Sequence, residues 1–412
     1  MNPTDTPTPQ PPTDGPHGIP RYRPFGGPAL FGEGFRPFFL AAGLWAPAAM
    51  ALWVGVLAGW IDLPTAFGLL DWHIHEMIFG FAAAAVAGFF LTAIPNWTGR
   101  MPLRGAPLIL LAALWAAGRV MCAYSLLTGP AAAAVVDLAF LAVLLLAVAR
   151  EILAGRNWRN LPMVGALAVL LTANLLFHLE SLGVANTAQL GGRLGIAMLL
   201  MMIGLIGGRI IPSFTRNWLV KQTGAENLPA PFSAVDRAAL LISLIALVAW
   251  VAAAPPTITG ALLIGAGTAA AIRLARWRGL STVREPLLLV LHLGHAWLAA
   301  GLVLLGVSQL TDAVATSAAL HALTAGAVGT MILAVMTRAT LGHTGRELTA
   351  GWGTTAIYAL VAIAALARIA AGLLPGSFEL LLHTAGCTWI AAFLLFLAIY
   401  GPMLVRPRPS KA

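Results

Sequence analysis

Residues 131–153 read AAAAVVDLAFLAVLLLAVAREIL. Nineteen residues pass before the first basic side chain, Arg150, and only Asp137 interrupts them with a charge. About 20 apolar residues are needed for a helix to cross the hydrocarbon of a bilayer. This stretch is therefore expected to span a membrane, with one carboxylate at membrane depth.

Eleven further runs have the same character, near 37–59, 73–94, 106–127, 161–182, 193–214, 237–254, 257–274, 286–309, 316–340, 353–373 and 378–402. Only Ala254, Pro255 and Pro256 separate the seventh run from the eighth. The whole chain of 412 residues is 59% hydrophobic and 9% charged. A soluble domain carries about 25% charged residues, so this composition needs lipid as solvent. The expected fold is all-α, a polytopic membrane protein of about twelve transmembrane helices in contact with the lipid bilayer. The domain division is a disordered tail over 1–30, a single membrane domain over 31–405 and a basic tail over 406–412. Residues 1–20 are rich in Pro and Thr and lack the basic and apolar regions of a signal peptide. The first span is then expected to direct insertion.

The formal net charge of +9 would suggest nucleic acid for a soluble protein. Here the charges lie between apolar runs and report topology instead, so no nucleic-acid partner is expected. Arg21, Arg23 and Arg36 precede the first run, and Arg100 and Arg104 follow the second. Arg150, Arg156 and Arg159 follow the fourth; Arg209, Arg216, Lys221 and Arg237 surround the sixth-to-seventh connection. Arg273, Arg276, Arg278 and Arg284, then Arg338 and Arg346, then Arg406, Arg408 and Lys411 continue the series. The opposite side holds Arg193, near Asp62, Asp71, Asp312 and Glu379. Basic residues mark the cytoplasmic face, which places both termini there.

The spans then act as a depth scale. His73, His75 and Glu76 open the second span on the outer side, and His178 closes the fifth there. His321 opens the tenth and His383 the twelfth. Four spans thus bring histidine to one outer layer. Ionisable groups at membrane depth are costly and mark function, and imidazole is the commonest metal ligand. A redox-metal or haem site between spans two, five, ten and twelve is the functional reading. The structural alternative is that each histidine caps a helix end or bonds a nearby carbonyl. His73 is expected in the first turn with Asp71 as N-cap, and the two histidines converge on one ion or serve two sites. Glu76, three residues on, is close enough to orient His73. Asn174 shares a helix face with His178. His292 and His295 are an i,i+3 pair in the ninth span, a usable metal spacing or an interhelical hydrogen-bonding pair. Arg119, Asp137 and Arg368 are the other charges at depth. Arg119 suits a haem propionate or a structural pair with Asp137. Cys122 and Cys387 form no metal motif and read as buried free thiols. Met198, Met201, Met202, Met331 and Met336 read as core filler.

Several blocks together resemble one family. They are Phe35-Arg36-Pro37-Phe38-Phe39, His73-Ile74-His75-Glu76-Met77, and Pro95-Asn96-Trp97-Thr98-Gly99. Gly207-Gly208-Arg209-Ile210-Ile211-Pro212, His292-Leu293-Gly294-His295, and the run from His321 to Arg346 complete the set. In this order they are similar to the NnrS family over nearly the whole chain after the tail. The resemblance implies a multi-pass protein of the bacterial inner membrane with haem and copper, involved in the response to nitric oxide and nitrosative stress. Nitric oxide or a nitrosyl-iron species is the implied partner. The resemblance assigns no ligands; from the residues at depth, His178, His321, His383 and Arg119 are the candidates for the haem, and His73, His75 and His292 for the metal, with Glu76 and Asn174 supporting them. His295 stands where the family commonly carries tyrosine, which makes His292 the better ligand candidate. Catalytic residues, oligomeric state and turnover as against sensing stay open.

Two other classes fit twelve spans. A secondary transporter exporting metal or a small molecule is one. The connection between spans two and three lacks an acidic residue, however, and the two halves show no repeat. A terminal oxidase is the other, but the chain has no adjacent His-His pair.

Overall fold

The computed structural model describes residues 25–223 and 227–409. The tail over 1–24, the loop over 224–226 and the last three residues lie outside the described residues, and with them Arg21, Arg23 and Lys411. Among the described residues, twelve helices are long and apolar enough to cross a membrane. They are α1 (Phe35–Leu57), α2 (Leu69–Thr98), α3 (Ala106–Ala123), α4 (Pro130–Ala154), α5 (Trp158–Ser181) and α6 (Ala188–Gln222). The second half holds α7 (Ala234–Val251), α8 (Pro256–Ala275), α9 (Pro286–Leu310), α10 (Thr316–His343), α11 (Trp352–Leu373) and α12 (Pro375–Val405). The short turn at Ala254–Pro256 is present and separates α7 from α8, with Pro256 in the first turn of α8. Proline there gives up no hydrogen bond, because the first N–H groups of a helix have no internal partner.

Most consecutive spans pack side by side, and α12 returns to pack along α1, so the bundle closes into a ring. Spans α2, α10, α9 and α6 lie innermost. The most apolar stretch of α2 is 78% buried and that of α10 is 67%, against 28% for the peripheral α7. Apolar side chains such as Leu110, Val135 and Leu244 face outward, as expected where lipid is the solvent.

Lipid cannot satisfy a stray backbone or guanidinium group, and Arg36 shows how the fold deals with this. It is buried, and its Nη1 donates to the carbonyls of Met403, Leu404 and Arg406 at 3.0, 3.0 and 2.9 Å. One arginine thereby takes up carbonyl oxygens at the C-terminal end of α12 and fastens the last span to the first. Elsewhere small residues let backbones touch, as small residues do between membrane helices. A Cβ on Gly306 of α9 would lie 2.7 Å from the carbonyl of Gly260 in α8, and one on Gly267 would lie 2.6 Å from that of Ala299.

Three of the four central spans contain a π-helical turn, over Glu76–Ala82 in α2, Ile203–Gly207 in α6 and Ala322–Gly329 in α10. Such turns are rare and sit mostly at functional sites. Two of them begin directly after a histidine, His75 and His321.

Candidate metal centre

The face of the bundle opposite the chain termini holds a buried polar cluster between α2, α3, α4 and α5. Asp137, the lone charge in the stretch quoted first, is at its centre. Its Oδ1 pairs with Arg119 Nη2, and its Oδ2 accepts from Asn174 Nδ2 at 2.8 Å and His178 Nε2 at 3.0 Å. His75 Nε2 lies 3.2 Å from the same oxygen and 2.8 Å from Asn174 Oδ1. Glu76 forms the second acidic corner. Its Oε2 accepts from Arg119 Nη1 at 2.7 Å and Trp45 Nε1 at 2.8 Å, and its Oε1 accepts from His75 Nδ1 at 3.0 Å. All of these residues except Trp45 are essentially inaccessible.

Local sequence makes this possible. A Cβ on Gly118 would sit 2.8 Å from Asp137 Oδ1, and one on Gly80 would sit 2.4 Å from Trp45 Nε1 and 2.7 Å from Glu76 Oε2. Glycine at both positions lets the partners approach. Cys122 is three residues after Arg119 and so on the same helix face. The loop between α1 and α2 covers the cluster. Thr65 Oγ1 donates to the Cys122 carbonyl at 2.9 Å, and the amide of Ala66 donates to Ser125 Oγ at 2.7 Å. This seats the Phe67 ring 4.8 Å from that of His75 and 5.3 Å from that of His178.

Two carboxylates face one guanidinium here, which leaves one negative charge over if both imidazoles are neutral. In a low-dielectric interior such a charge demands a counter-charge. Both nitrogens of His75 face acceptor oxygens, so a ring donating to both carries a second proton and supplies it. A metal cation would supply it equally. His75, Cys122, Asp137 and His178 each offer one ligand atom, and these atoms lie within 4.8 Å of one another. Two imidazoles and a thiol with a carboxylate suit copper or zinc. His178 Nδ1 is buried without a hydrogen-bond partner, which leaves it ready for a ligand role.

The expected outer layer divides into separate places. His75 and His178 meet in the cluster with Glu76, Asn174 and Arg119. His73 does not join them. Its ring stacks on Trp53 at 4.7 Å, and with His321 and Arg368 it lines a separate cavity of about 50 Å³. The reason is the helix itself: α2 already begins at Leu69, with Gly68 as its N-cap. Asp71 is therefore not the cap, and His73 and His75 project to different sides. Glu76 accordingly orients His75 rather than His73. His321 Nδ1 donates to the Ser317 carbonyl at 2.7 Å. His383 is exposed and donates to the Glu379 carbonyl at 2.7 Å, so it reaches neither site. Cys387 is exposed while Cys122 is buried. His292 is in the opposite half of the bundle, 2.9 Å from Thr215 Oγ1, and His295 packs on Trp277 with neither ring nitrogen bonded. Neither residue approaches the cluster.

Cys122 and Trp45 were not foreseen as site residues. For Cys122 a signal existed in the i,i+3 spacing from Arg119; for Trp45 there was none. No curated protein matches the chain closely. The family model described as NnrS protein matches residues 29–408, and the chain belongs to the NnrS family.

Proposed function

We propose that this chain is a copper-containing membrane protein of the bacterial nitric oxide response, with His75, Cys122, Asp137 and His178 as the copper ligands. The observation that supports this most is the convergence of two imidazoles and a thiol on a carboxylate, buried inside a membrane domain of this family. Thiolate and imidazole are the ligands that favour copper over harder ions. Copper held there would supply a centre able to bind nitric oxide and to change oxidation state. The protein's own residues do the rest. Arg119 holds both carboxylates in place, Asn174 fixes the Asp137 oxygen that faces the histidines, and Phe67 closes the site against water. Nitric oxide is small and weakly polar, so it can reach such a site through lipid without a polar channel. With both imidazoles neutral, as ligation requires, the cluster carries one surplus negative charge, which favours a cation over a neutral ligand.

The cavity that His73 and His321 share with Arg368 is about 50 Å³, too small for a porphyrin ring, so His321 is not proposed as a ligand of the haem that the family implies.

The test is elemental analysis of the purified full-length protein. Copper is expected at a fixed ratio to protein, with Cys122→Ser and His178→Ala each lowering it at least about tenfold, the lower end of what loss of a metal-site partner costs. Protein that is folded and carries the same copper after both substitutions would sink the assignment.

A further inference from the structure

The small cavity that His73 shares with His321 lies between α1, α2, α10, α11 and α12, toward the face opposite the termini. Met50, Trp53 and Trp389 give it apolar walls, and the polar side chains that line it are His73, His321 and Arg368. No acidic residue lines it. A buried water needs about 10–15 Å³ of such space. The 50 Å³ here therefore have room for a few waters or for one ion of a few atoms.

Three polar groups meet there without satisfying one another. Arg368 is half-buried in the last turns of α11. Its Nη1 is fully buried with no hydrogen-bond partner, and no carboxylate stands near enough to act on the guanidinium. His73 Nδ1 is likewise buried and unpartnered, with its ring held flat against Trp53. His321 donates from Nδ1 to the Ser317 carbonyl, so its neutral ring keeps Nε2 as an acceptor. Both imidazoles are within electrostatic reach of Arg368. A guanidinium keeps its charge, and inside a membrane span it needs an acceptor. Two imidazoles alone would suit a metal cation, but a fixed positive charge beside them, with no carboxylate to offset it, opposes one. The same charge attracts an anion.

We infer that this cavity binds one small inorganic anion, held by Arg368 Nη1 and by His73 Nδ1 as its N–H tautomer. Binding is independent of the copper centre, with which the cavity shares no lining residue. Two kinds of anion share the chemistry. Chloride and nitrate only accept hydrogen bonds, whereas hydrogen carbonate also carries a hydroxyl that can donate to His321 Nε2.

Equilibrium dialysis of the full-length protein in a maltoside detergent tests this, with chloride, nitrate and hydrogen carbonate as probes in gluconate buffer. Saturable uptake of a single anion per chain is expected. The melting temperature should rise with it, relative to gluconate at equal ionic strength, because a ligand of the native state stabilises that state. Loss of hydrogen carbonate binding in His321→Ala, with nitrate binding kept, identifies the hydroxylated anion; an unchanged His321→Ala protein identifies the acceptor-only kind. Arg368→Gln is expected to weaken binding at least about tenfold, the share of one charge-assisted hydrogen bond, and to abolish the rise in melting temperature. Since the guanidinium has no partner in the protein, this variant is expected to melt no lower than the wild type in gluconate. Ala325→Leu keeps all three polar groups and fills the cavity, so it is expected to abolish binding. Failure of all three anions to bind, or undiminished binding by the Arg368→Gln or the Ala325→Leu protein, would overturn the inference. An Arg368→Gln protein melting well below the wild type in gluconate would do the same, by showing that the guanidinium serves the fold. Copper content is expected to be unchanged throughout.

Discussion

Asp137 and Arg119 are opposite charges in one cluster, yet their removal is not equivalent. Arg119→Gln strands Glu76 and Asp137 together in a dry interior. Breaking a buried ion pair costs about 3–5 kcal/mol, so this variant is expected to unfold at a markedly lower temperature or fail to accumulate in membranes. Asp137→Asn removes the surplus negative charge and keeps Glu76 for Arg119. It is expected to keep most of its thermal stability while losing copper, and thermal melts paired with metal analysis check both. Gly118→Ala belongs to the same set. A methyl group 2.8 Å from Asp137 Oδ1 pushes the carboxylate away, and copper is expected to fall although no ligand has changed. At this scale the sequence was partly legible. Asp137, Arg119 and His178 stood out because each is polar in an apolar run. Cys122 did not, because a lone thiol in a membrane helix looks like any other small apolar residue. Trp45 did not, because its bond to Glu76 crosses from α1 to α2 and no spacing along the chain encodes it.

Helices add a constraint that single residues do not show. The π turn over Glu76–Ala82 changes the rotation of α2 directly after His75, so His75 and Glu76 face the cluster while the rest of the helix packs centrally. Removing one residue from this turn should restore a regular helix and turn one end of α2 about 100° against the other. Deletion of Gly80 is therefore expected to separate Glu76 from Trp45 and abolish copper binding, with the helical content by circular dichroism unchanged. Copper retained at the wild-type level would count against any role for the turn. Element positions were legible from apolar runs to within about four residues for eleven spans, because each has to cover the same thickness of lipid; α6, expected over 193–214, runs over Ala188–Gln222 because its polar last turns continue the helix beyond the apolar run. The π turns were not, since Gly and Ala are common throughout this chain and mark no particular hydrogen-bonding register. Depth was readable from sequence; rotation about each helix axis was not.

The whole molecule is a ring whose central spans serve two faces. The buried cluster of His75, Cys122, Asp137 and His178 lies toward one face, between α2 and α5, and a cleft bordered by α1, α2, α6 and α10 lies toward the other, with α2 contributing to both. The closure of this ring depends on Arg36. Arg36→Ala leaves the carbonyls of Met403, Leu404 and Arg406 without their donor, and each unmet buried acceptor costs about 1–3 kcal/mol. A lower melting temperature is expected, with proteolysis beginning at the end of α12 and copper content per folded molecule preserved. Sequence analysis used Arg36 only as a marker of sidedness. Its partners lie 367 to 370 residues away, beyond the reach of any local pattern.

That separation bears on how the protein is made. Arg36 belongs to the first helix to enter the membrane, and its partners belong to the last. At about 5–20 residues per second of synthesis, the guanidinium waits on the order of 20–75 seconds before the carbonyls exist. Until then Glu33, 3.0 Å from its Nε, is the partner it has. The clasp between the first span and the last is thus expected to close late, once the other ten are already in the bilayer.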